Sequence, residues 1–140
     1  MSDWTIGIIG GSGLYAMDAL EDAQWIPVQS PWGEPSDEIL CGKIGHVRVR
    51  FLPRHGRGHR LAPSTVNAQA NIDALKRAGC TDILAVSAVG SLSEELSPGR
   101  FVTIDQFIEE GIDLRADVVL GRSYLYTRRH PVAEVSLHRH

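Results

Sequence analysis

Three short apolar runs in this sequence each end in a stretch that cannot continue them. Thr5 to Ile9 is β-branched and apolar and enters Gly10-Gly11-Ser12-Gly13, a turn or loop. Val47 to Leu52 alternates apolar and basic residues, as a strand with one solvated face would, and enters Pro53-Arg54-His55-Gly56-Arg57-Gly58-His59, too polar and glycine-rich for an element. Asp82 to Ser87 holds the continuous run Ile83-Leu84-Ala85-Val86, suited to a strand covered on both faces, and enters Ser87-Ala88-Val89-Gly90-Ser91. Ligands of open α/β sheets bind at the C-terminal ends of strands, where these loops would lie.

The remaining elements fit that class. Trp25 to Val28 and Ile39 to Ile44 read as short strands, joined by the two-proline connector Ser30-Pro31-Trp32-Gly33-Glu34-Pro35-Ser36. A helix follows with Ser64 as N-cap, Val66, Ala70, Ile72, Ala74 and Leu75 at helical spacing, and Gly79 as the C′ residue. Ser97-Pro98-Gly99 is a turn, Phe101 to Ile108 another strand, and Val118-Val119-Leu120 a further sheet segment. Strand and helix signals intermix, so the class is α/β. No internal repeat is visible.

At 140 residues the chain reads as one domain able to bury a core, and 43% hydrophobic with 22% charged residues marks it as globular. A net charge of -3 argues against nucleic-acid or membrane-surface partners. No apolar stretch approaches the roughly 18 residues of a membrane span. The start, Met1-Ser2-Asp3-Trp4, lacks the basic region of a secretory signal. Cys41 and Cys80 are far apart and read as reduced thiols of a cytosolic protein.

Each loop has a plain reading and a sharper one. Gly10 to Gly13 is a tight turn, or a backbone cradle whose amides and Ser12 hydroxyl meet an anion. Arg54 to His59 is a solvated basic loop, or a phosphate site built on guanidinium donors. A metal held by His55 and His59 conflicts with the flanking arginines and the lack of a nearby carboxylate. Ser87 to Ser91 is a strand-to-loop turn, or a backbone-lined seat for a ligand. No loop carries the lysine of a nucleotide-triphosphate loop. A dinucleotide-binding module would need an acid at the end of the second strand, and Val28-Gln29-Ser30 has none.

These residues resemble a known family. Leu52, Gly56, His59, Leu61, Val66, Ala70, Ile72, Ala74, Gly79, Ile83-Leu84 and Ser87-Ala88-Val89-Gly90-Ser91-Leu92 follow the signature of the purine nucleoside phosphorylases, and Ile6 to Leu14 looks like that family's opening. Ser30 to Asp37, Arg54-His55-Gly56-Arg57 and Ile104-Asp105-Gln106-Phe107-Ile108 resemble its methylthioadenosine phosphorylase branch. The resemblance implies a mixed central sheet flanked by helices and phosphorolysis of an N-glycosidic bond. Phosphate would attack C1′ of the ribose, releasing adenine and 5-methylthioribose 1-phosphate from methylthioadenosine, a pentosyltransferase step of purine and methionine salvage. It also implies that Ser12, Arg54, His55, Ser87 and Ala88 bind phosphate, while Arg57 and His59 position the loop or touch phosphate themselves. It names no catalytic nucleophile, metal or organic cofactor; phosphate is a co-substrate. A cytoplasmic homo-oligomer, trimer or hexamer, is implied as well. Methylthioinosine or a general purine nucleoside is the alternative substrate, and a silent phosphate-binding or assembly remnant the alternative role.

The resemblance weakens after Ile108. Where the family continues with Asp-Arg-Thr and Ser-Phe-Phe type motifs, this chain has Glu109-Glu110-Gly111-Ile112-Asp113 and then an Arg/His-rich stretch. Val132 to Ser136 echoes a later family segment at the wrong spacing, with Glu134 in place of a histidine. The expectation is therefore an N-terminal phosphorylase part over 1–108 and a divergent tail over 109–140, not native to the fold, from a truncated or frame-shifted gene. Base-recognising residues would lie in the missing half, and the isolated chain would be marginally stable.

Overall fold

The computed structural model describes residues 4–14, 18–91, 93–103, 108–109 and 123–124. Two compact units divide the chain, Met1–Leu84 and Ala85–His140.

A mixed sheet carries the first unit. Its strands are β1 (Thr5–Gly10), β2 (Glu21–Ile26), β3 (Ile39–Ile44), β4 (Val47–Pro53) and β5 (Asp82–Ala85), in the order β2-β3-β4-β1-β5. β3 and β4 form a hairpin across Gly45-His46, with Ile44 opposite Val47. β1 lies parallel to β4, in register from Thr5 opposite Arg48 to Gly10 opposite Pro53. The glycine loop therefore leads through a 3-10 turn (Ser12–Leu14) toward β2, and no helix follows it among the described residues, unlike a dinucleotide-binding fold.

Strand β2 starts earlier than its apolar residues suggest. Glu21 to Gln24 are exposed, a bulge separates Glu21 from Gln24, and Asp22 has a positive φ of 53°. An edge strand tolerates polar residues and bulges because only one side must pair. β4 also departs from the one-solvated-face expectation. Val49 and Phe51 are buried on one face and Leu52 on the other. Arg50 is half-buried, its Nε donating to the Ala78 carbonyl at 3.4 Å at the end of the helix. β5 is the outermost strand in the order, and Asp82, Ile83 and Ala85 are exposed. An apolar run thus stands at an edge of the described sheet, not covered on both faces as expected.

Helix α1 (Ala68–Arg77) packs on the sheet. Its N-cap is Asn67, whose side chain accepts from the Ala70 amide at 3.1 Å, while Ser64 belongs to a preceding 3-10 turn (Pro63–Thr65). Ala70, Asn71, Ala74 and Leu75 form the buried stripe. Ile72, expected in that stripe, falls outside it and is 39% exposed. Gly79 closes the helix at φ 85°, its amide donating to Lys76 and that of Cys80 to Leu75, the paired bonds of a glycine-terminated helix. Ile9, Ile39, Leu52, Ala74 and Leu75 make the core, flanked by Ile26, Val28, Cys41, Ala78 and Cys80.

In the second unit the Ser97-Pro98-Gly99 turn forms as expected, closed by the Arg100 amide on the Ser97 carbonyl. The strand expected over Phe101 to Ile108 is described only in part: Val102 makes a β-bridge, and β6 (Ile108–Glu109) pairs antiparallel with β7 (Ser123–Tyr124). Val118-Val119-Leu120 lies outside the described residues.

Candidate phosphate-binding loops

Because β1 and β4 run parallel, their C-terminal ends open on the same edge of the sheet. The Arg54 amide donates to the Gly10 carbonyl at 3.0 Å, one step beyond the last paired residues. This bond ties the start of the arginine loop to the start of the glycine loop. On the glycine side the Leu14 amide closes onto the Gly11 carbonyl, so Ser12 opens a 3-10 turn directly behind β1.

The arginine loop is a compact set of turns. Its amides at Gly56, His59 and Leu61 donate to the carbonyls of Pro53, Gly56 and His55. Gly56 has φ 72°, and a Cβ there would lie 2.6 Å from Arg60 Nε and 3.0 Å from the Ser36 carbonyl oxygen. The conformation favours glycine, and any side chain here would have to displace Arg60 and crowd the Ser36 carbonyl. Arg54 and His55 are half-buried at the mouth of β4. His55 Nδ1 is 3.1 Å from the Leu61 carbonyl oxygen, so with its proton there it donates and Nε2 is left for another partner. Burial holds the His55 pKa below its ordinary value; the Leu61 hydrogen bond opposes this, and the charges of Arg54 and His59 add to the lowering. A neutral ring accepts at Nε2 from a protonated anion oxygen, and a protonated ring donates to a bare one. His59 stacks on His55 with ring centroids 5.2 Å apart, and holds a φ of 55°.

The Arg57 side chain, 43% exposed, is tied to the segment before β3. Its guanidinium bonds Asp37 through Nε at 3.2 Å and Nη2 at 2.9 Å, bonds Glu38 at 2.9 Å, and lies 4.2 Å over the Trp25 ring. Its main-chain amide donates to Asp37 Oδ2 at 2.6 Å. Of the two roles open to Arg57, these contacts match holding the loop. Sequence reasoning missed Asp37 as an individual residue. Its side chain is 2% exposed. Burial pushes the carboxyl pKa up, but the Arg57 hydrogen bonds outweigh it and leave it below the ordinary value.

The connector carrying Asp37 is anchored in turn to α1. Asn71 and Ser36 exchange two hydrogen bonds, and Asn67 Nδ2 donates to the Trp32 carbonyl at 2.8 Å. Ser87 and Ala88 come just after β5 in the second unit, Ser87 half-buried and Ala88 exposed. A shallow hollow of about 300 Å³ opens elsewhere, lined by Asp22, Gln24, Cys41, Gly42, Lys43, Arg48 and Arg50 and by none of the loop residues. Among the described residues, no helix is long and apolar enough to cross a membrane.

The sequence matches the model of the phosphorylase superfamily over residues 5–135. It is 62% identical over 104 residues to an S-methyl-5′-thioadenosine phosphorylase of Cereibacter sphaeroides, covering 74% of this chain and 36% of that protein. It is 52% identical over 135 residues to an S-methyl-5′-thioadenosine phosphorylase of Bradyrhizobium diazoefficiens, covering 95% of this chain and 46% of that protein. The crystal structure of a methylthioadenosine phosphorylase from an antarctic soil metagenomic library is similar in fold, with a TM-score of 0.68 and 52% identity over 75% of this chain and 37% of that one. The chain thus spans less than half the length of these relatives.

Proposed function

Because the chain belongs to the phosphorylase superfamily, we propose that it supplies the phosphate-binding part of an S-methyl-5′-thioadenosine phosphorylase. The observation that carries the reading is the Arg54–Gly10 main-chain bond, which brings a guanidinium-bearing loop and a glycine loop to neighbouring strand ends. Two S-methyl-5′-thioadenosine phosphorylases, at 62% and 52% identity, favour this substrate over methylthioinosine or an ordinary purine nucleoside.

In this reading Arg54 and His55 hold phosphate by charge and a ring nitrogen, Ser12 adds a hydroxyl, and Ser87 and Ala88 add a hydroxyl and a main-chain amide. Phosphate attacks C1′ as the purine leaves, and its negative charge stabilises the cationic sugar of the transition state. Holding phosphate beside the sugar also removes the entropy cost of a bimolecular encounter. Phosphate is the co-substrate, and the step needs no metal or organic cofactor. The working form is a cytoplasmic homo-oligomer, trimeric or hexameric.

A second reading is a phosphate-binding or assembly module without turnover, which needs only the loops joined at Gly10 and Arg54. Adenine release from methylthioadenosine, with and without phosphate, separates the two when run beside calorimetric phosphate binding. Phosphate-dependent release supports the enzyme. Binding without release supports the module. Absence of binding by folded protein sinks both.

A further inference from the structure

We infer that Asp37 is a positioning residue for anion binding: one buried carboxylate gathers the main-chain amide and the guanidinium of Arg57, and so fixes the Arg54–His55 segment at the end of β4. The inference rests on the proposed reading of Arg54 and His55 as phosphate ligands. Asp37 would act on the anion only through Arg57.

Arg57 gives Asp37 three donors: the amide at 2.6 Å, Nε at 3.2 Å and Nη2 at 2.9 Å. Arg60 Nη2 stands 3.5 Å from the same carboxylate, and the Glu38 amide donates to it at 2.8 Å. Apart from Glu38, every donor comes from the arginine loop. A carboxylate buried this deeply is tolerated only when its oxygens are fully engaged. A forked guanidinium also fixes orientation as well as distance. Trp25 covers the Arg57 guanidinium, so the side chain is held from two directions.

Asp37 is itself held. Ser36, its chain neighbour, is 2% exposed and clasped by Asn71 on α1. Arg60 Nη2 donates to the Ser36 carbonyl at 2.9 Å. A continuous set of contacts therefore runs from α1 through Ser36 and Asp37 to Arg57, two residues beyond His55. Preorganised ligands bind more tightly because less ordering remains to be done on binding.

The test compares the full chain with Asp37→Asn, which keeps the shape but loses the charge and one acceptor. Three quantities are read: deuterium exchange of residues 53–61, phosphate affinity by calorimetry, and thermal midpoint. The expected result is faster exchange confined to the loop and a phosphate Kd raised about tenfold. Glu38→Gln, which removes only the exposed arm of Arg57, should change both by less than about twofold. Arg57→Lys keeps a charge without the fork and should behave like Asp37→Asn, which covers a misfolded aspartate variant. Unchanged loop exchange, or altered exchange at unchanged Kd, overturns the inference. A wild-type chain that binds no phosphate at all overturns the ligand reading first and the inference with it.

Discussion

Ser36 and Asn71 hold each other by two hydrogen bonds across 35 positions of sequence: the Ser36 amide donates to Asn71 Oδ1 at 2.7 Å, and Asn71 Nδ2 donates to Ser36 Oγ at 2.9 Å. Both are buried. Asn71→Ala would leave the Ser36 amide without its acceptor, at a cost of roughly 1–3 kcal/mol. A urea unfolding midpoint unchanged from wild type would show that this clasp contributes nothing.

Two neighbouring positions on α1 should respond very differently to the same truncation. Leu75 is fully buried in the core, so Leu75→Ala should destabilise by about 2–5 kcal/mol. Ile72 is 39% exposed, and Ile72→Ala should stay within about 1 kcal/mol. Chemical denaturation of both variants checks the helix register. Equal losses would mean that Ile72 faces the core.

Acid should loosen the arginine loop in two stages. His55 binds its proton less tightly in the fold than in the unfolded chain, so it has no effect above its ordinary 6.5 and destabilises as pH falls below it. Asp37 also has a lowered pKa, so its contribution is complete above the ordinary carboxylate value of 3.8 and is lost as pH falls through the folded value. The stability gap between wild type and Asp37→Asn should therefore narrow only at the acid end. A gap that stays constant down to about pH 2 would refute the assigned direction.

Both cysteines should be poor nucleophiles in the fold. Burial raises the Cys80 pKa to about 11 against the opposing charge of Arg50, and burial raises Cys41 as well. Thiolate is the reactive form, so a disulfide reagent at neutral pH should modify neither until denaturant is added. Prompt native-state labelling of Cys80 would contradict its placement beside the core.

Much of the sheet was legible because its strands carry local signals. Ile39 to Ile44 and Val47 to Pro53 fall where their apolar and alternating residues place them, and the Gly79 stop reflects a backbone angle that glycine alone takes easily. β2 was misplaced because an edge strand needs no apolar pattern. The N-cap moved from Ser64 to Asn67 because both residue types cap helices and only packing decides between them. The exposure of β5 was unreadable, since an apolar run says nothing about how many neighbours a strand has. At the loops, the Gly10 and Arg54 segments could be suspected from residue type, but their junction required the parallel pairing. Asp37 was visible only as part of a motif, because its partner lies 20 positions away.

The parallel pairing of β1 with β4 also sets an order of assembly. β3 and β4 meet across two residues, a closure fast enough to precede most others. β1 lies earlier in the sequence and meets β4 only across the larger loop that separates Thr5 from Arg48. Closing that larger loop loses more chain entropy, so it comes later. The glycine loop precedes β4 in the chain, yet it reaches its place beside Arg54 only after β4 has been made.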